Sequence, residues 1–85
     1  MTDEARYIRE TFPDKKDTID ILVTEDSEFL TLCEDHDACV DAWWYWVKSE
    51  EPEAQTRVNE YRAVVRELQA EIAQALILLK YPRPD

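Results

Sequence analysis

DSEFLTLCEDHDACVDAWWYWVK, residues 26–48, is the stretch on which the fold turns. Asp26 or Ser27 can cap a helix, because a short side-chain oxygen at that position accepts from the first free backbone N–H groups. Beyond the cap, Phe29, Leu32, Val40, Trp43 and Val47 keep helical spacing, with Cys33 and His36 on the same side. The spacing predicts a helix from Asp26 to about Lys48. Lys48-Ser49-Glu50-Glu51-Pro52 then breaks the pattern, with proline placed near the first turn of a following helix and acids favoured at its positive end.

After the break, Val58, Tyr61, Val65, Leu68, Ile72, Ala75 and Leu79 recur in steps of three and four residues, a sustained heptad that predicts a second long helix over 53–79. Two helices of roughly 35 and 40 Å joined by about four residues must fold back on each other. Before residue 26 the signals are shorter. Ala5, Tyr7 and Ile8 among charges predict a short helix over 3–11, capped by Thr2 or Asp3 and ended by Phe12-Pro13. Ile19, Ile21, Leu22 and Val23 are as compatible with a strand, but no other segment could pair with one, so a short helix over 15–23 is expected. The expected fold is all-α: one domain over 1–85, a long antiparallel helical hairpin, one or two short N-terminal helices, and a frayed tail over 80–85.

Composition narrows the function. The 85-residue chain has no glycine, which removes the dinucleotide fingerprint, the phosphate-cradling loop and the nucleophile elbow. A net charge of −10 repels phosphates and anionic headgroups, so neither direct nucleic-acid nor membrane binding is expected. Met1 to Glu10 is charged throughout and no run reaches the roughly 18 apolar residues of a span, so a cytoplasmic location is expected. The charge is uneven: residues 1–24, 25–47 and 48–85 contribute −2, −7 and −1. With the turn near residue 50, Asp35 falls opposite Arg66 and Cys39 opposite Arg62, a register that favours interhelical ion pairs. The competing reading is an acidic docking surface of Glu28, Glu34, Asp35, Asp37 and Asp41 for a basic partner.

Cys33, His36 and Cys39 have ligand chemistry and share one helix face. Spread over about 9 Å of helix they converge poorly on one ion, so the plainer reading is a half-buried stripe with His36 at its polar edge, and no metal or cofactor is expected. The same separation disfavours an internal disulfide. No serine lies within helical reach of His36, and carboxylates around Cys33 raise a thiol pKa, so no catalytic residue is assigned.

Trp43-Trp44-Tyr45-Trp46 points four rings in directions about 100° apart, more than one partner helix can cover. Ala75-Leu76-Ile77-Leu78-Leu79 poses the same problem. Trp43, Trp44, Trp46, Leu76, Ile77 and Leu78 are therefore the expected interface residues of a homo-oligomer, most simply a dimer.

Phe12-Pro13, then Asp26-Ser27-Glu28-Phe29-Leu30-Thr31-Leu32, then Glu71-Ile72 followed by Leu76, resembles the small bacterial YdcH-like proteins over about Phe12 to Leu76. In that family a D-x-x-F-x-x-L start opens a helical hairpin and an L-K-D-E-I-like motif lies in its second helix. Here Gln69 and Ala70 replace the lysine and aspartate, and the tryptophan cluster is not a family feature. The resemblance implies a helical hairpin of uncharacterised function and no catalytic residue. The expected function is a non-catalytic protein–protein interaction or scaffold role through self-association. The alternatives are an acidic inhibitor that mimics nucleic acid on a basic partner, and a metal or redox sensor using Cys33, His36 and Cys39.

Overall fold

A computed structural model describes residues 5–80, with side chains described through residue 78. Four α-helices follow in order: α1 (Arg6–Thr11), α2 (Lys16–Glu25), α3 (Ser27–Val47) and α4 (Ala54–Lys80), with a single 3-10 turn, Pro13–Lys15, before α2. The described residues contain no strand, and the fold is all-α. The suggested caps Thr2 and Asp3 and the tail Tyr81–Asp85 lie outside the described residues.

Each helix boundary has a local cause. α1 starts late because Ala5 is left-handed, φ 60°, a conformation that no helix continues. It stops where Phe12 donates its N–H to Ile8 O at 2.9 Å and Pro13 follows. Asp26 serves two helices at once. Its N–H closes α2 on Leu22 O at 2.8 Å, while its Oδ1 accepts from Glu28 N–H (3.0 Å) and Phe29 N–H (3.2 Å) to open α3. An extended backbone at this one residue turns the chain a sharp corner, so α2 lies back over the start of α3.

α3 and α4 make the most extensive helix contact, and α1 and α2 pack against α3, α2 also touching α4. The core gathers at one end: Ala5 and Ile8, Ile19 and Leu22 of α2, Phe29 and Cys33 of α3, Ile72 and Leu76 of α4. Phe12, Val23, Leu32 and Ala75 pack around it. The molecule is elongated, 55 × 26 × 21 Å, because α3 and α4 run on beyond the short helices that cover this end.

The expected register needs correction. Asp35 facing Arg66 would place His36 beside Val65, yet His36 meets Gln69, four residues or one turn further along. No carboxylate of α3 pairs with Arg62 or Arg66 among the described residues, so the expected interhelical ion pairs do not form. The described pairs are instead Arg9–Asp20, which ties α1 to α2, an exposed Arg57–Glu60 pair within α4, and His36–Asp37. Core packing around Phe29 and Ile72 sets the register, and it outweighs surface pairs that contribute ~0–1 kcal/mol each.

Candidate functional site

Beyond Asp41, α3 leaves the cover of the short helices and carries its aromatic run. Trp44 and Tyr45 are 46% and 60% exposed, Val47 is exposed, and Trp43 and Trp46 are half-buried. The rings shield one another in consecutive pairs. Trp43 and Trp44 lie edge to face at 4.7 Å between centroids and 70°, and Tyr45 and Trp46 at 5.1 Å and 88°. Such pairs recover some contact energy but leave the outer faces wet. A shallow groove of about 750 Å³ runs along them, bounded by Tyr7, Asp41, Trp44, Tyr45 and Lys48.

Tyr7 closes one side of that groove. Its hydroxyl donates to Asp41 Oδ1 at 2.6 Å and accepts from an Arg6 guanidinium N–H at 2.6 Å, and the Arg6 guanidinium also sits 4.6 Å from the Tyr7 ring centroid. Donation to Asp41 holds the phenol above its ordinary pKa of 10, because ionising it would end that bond beside a carboxylate. Asp41, expected as free acidic surface, is thus engaged by α1. Glu28, Glu34 and Asp35 remain exposed on α3. Asp37 does not stand with them: it is half-buried, with Oδ1 3.1 Å from His36 Nδ1.

His36 departs furthest from expectation. It is wholly buried, at 0% exposure, and not at a polar edge. Its two ring nitrogens are satisfied when Nδ1–H donates to Asp37 and Nε2 accepts from the Gln69 side-chain N–H at 3.1 Å. Sequence reasoning missed Gln69, because finding it needs the register. Cys33 is buried in the core and Cys39 half-buried, both as free thiols. Burial first, then the charge of Asp37, pushes the Cys33 thiol up to about 12, and burial followed by Asp35 raises Cys39. Both shifts favour the thiol over the thiolate. Among the described residues no group of three or more His, Cys, Asp or Glu is placed to hold a metal, so Cys33, His36 and Cys39 are not assembled as ligands.

A second concavity lies between α1, α3 and α4. It measures about 400 Å³ and is lined by Tyr7, Glu10 and Thr11, by His36, Val40 and Trp43, and by Arg62, Val65, Arg66 and Gln69. In its wall Trp43 Nε1 is enclosed and has no hydrogen-bond partner among the described residues, a condition costing about 1–3 kcal/mol.

At the other end of α4, Ile77 and Leu78 are exposed, as expected, but Leu76 is 2% exposed and belongs to the core. It is withdrawn from the interface because the core that α2 closes against α4 takes it in. No helix among the described residues is long and apolar enough to cross a membrane. Compared with known proteins, the chain matches no family model, no curated protein and no solved structure, so the reading of the site rests on its own residues and geometry.

Proposed function

We propose that the protein is a non-catalytic interaction module that associates with a second copy of itself through the aromatic end of α3. The observation that carries this reading is the contiguous exposure of Trp44, Tyr45 and Val47 beside the half-buried Trp43 and Trp46. The segment 42–48 contains no acid and ends in Lys48, so two copies can meet there without bringing their acidic stretches together. The exposed parts of these side chains amount to roughly 300 Å² per copy, the size of a functional patch on a small monomer. Two such patches fall short of a standard interface of about 1,600 Å², so the association is a weak one. Free cysteines in both positions suit a reducing, cytoplasmic setting, and kinship with the YdcH-like proteins, part of the same proposal, brings no catalytic residue.

Sedimentation equilibrium from micromolar to millimolar protein tests it. The expected result is a monomer–dimer equilibrium that Trp44→Ala weakens at least tenfold, the loss of about 1.4 kcal/mol. A single monomeric species over the whole range overturns the reading.

A second reading has its own support. Glu28, Glu34 and Asp35 are exposed and form no ion pair among the described residues, which leaves an acidic face open to a basic protein. Its signature is binding to a polycationic partner that weakens steeply between low and physiological salt.

A further inference from the structure

We infer that the cleft between α1, α3 and α4 is a binding site for a small apolar monocarboxylate. Its volume of about 400 Å³ lies within the range of small-molecule pockets. Val40, Trp43 and Val65 supply an apolar wall, and Arg62 and Arg66, one turn apart on α4, stand at its margin. In a chain of net charge −10 the lining itself carries two guanidinium groups against the one carboxylate of Glu10. Among the described residues neither arginine forms an ion pair, because the one-turn register leaves both without a carboxylate partner. Behind the lining, Asp41 is engaged by the Tyr7 hydroxyl and Asp37 by His36, and the field of more distant acids decays over about 8 Å at physiological salt. Guanidinium groups are the natural recognition elements for a carboxylate, and the apolar wall takes the rest of the molecule.

The site does not depend on self-association, and Trp44 does not line it. Titration of the whole protein with phenylacetate, followed by the indole N–H resonance of Trp43, tests it. That resonance is assigned from its loss in Trp43→Phe. The expected result is a saturable shift with a Kd of about 1 mM, the level a ligand of this size reaches. The uncharged isostere phenylacetamide should bind about tenfold more weakly, as should phenylacetate to Arg66→Gln. Glu10→Gln should tighten binding about threefold, a gain that no loss of folding can produce. Tyr45→Ala, in the aromatic groove and outside the cleft, should leave the Kd unchanged. The inference is overturned by an absent or unsaturable shift, by equal binding of acid and amide, or by a Kd indifferent to both Arg66→Gln and Glu10→Gln. A Kd that weakens in Tyr45→Ala overturns it too, by moving the ligand to the aromatic groove.

Discussion

At its N-terminal end α3 lies under two short helices, and Phe29 there is 2% exposed. At its C-terminal end, among the described residues, it has chiefly α4 beside it, and Tyr45 is 60% exposed. Both ends are rich in apolar side chains and both keep helical periodicity. The difference is the availability of neighbours: residues 6–25 fold back from the corner at Asp26 and reach only as far as Tyr7 against Asp41. Stability and recognition therefore separate along one helix. The covered end contributes the core, and the open end contributes surface whose burial awaits another molecule.

Substitutions at the two ends should behave oppositely, which makes the contrast easy to break. The largest effect belongs to Phe29→Ala, which should cost about 3–5 kcal/mol and leave the chain largely unfolded. Urea denaturation gives the number, and a loss below about 1 kcal/mol would show that the core does not centre on this end.

Next comes alkaline pH. The Cys33 thiol is held near 12 when folded against an ordinary value of 9.0, so its protonated form is favoured in the native state. That stability is fully present below about pH 9 and is lost as pH rises toward 12, with a limiting slope of about 1.4 kcal/mol per pH unit. Comparing the pH dependence of urea midpoints between wild type and Cys33→Ala isolates the thiol. Cys39→Ala, at a half-buried position nearer the open end, should flatten the curve less.

His36 marks the border between the two regions. His36→Leu should cost about 1–3 kcal/mol by stripping Gln69 and Asp37 of their partner, and adding Gln69→Leu should recover part of the loss. Additive effects in that double-mutant cycle would mean that the two side chains do not interact in solution. The smallest change in monomer stability is expected for Trp44→Ala, within about 0.5 kcal/mol when measured in dilute protein. A large loss there would mean that the aromatic end is part of the folding core, and the contrast between the two ends would collapse.

The helices themselves were readable because their causes are local. The Asp26 cap, the spacing from Phe29 to Val47 and the heptad from Val58 onward place α3 and α4 within a residue or so of where they lie. The β-branched run at Ile19 to Val23 is helical, as the lack of a pairing strand required. Misreadings began where distance along the chain ceased to matter. A one-turn change in register separated Asp35 from Arg66 and brought His36 to Gln69. The same packing buried Leu76 while leaving Ile77 and Leu78 exposed, although all three are equally apolar and adjacent.

Backbone hydrogen bonding, capping and side-chain periodicity act over a few residues, and so the sequence alone determined an acidic, all-helical chain with surplus aromatic surface near residue 45. Tertiary structure alone decided which apolar residues were covered, which charges stayed unpaired and where a cleft opened between α1, α3 and α4. Those outcomes depend on how rods of unequal length share one core, and packing energy selects among registers that local periodicity leaves nearly equivalent.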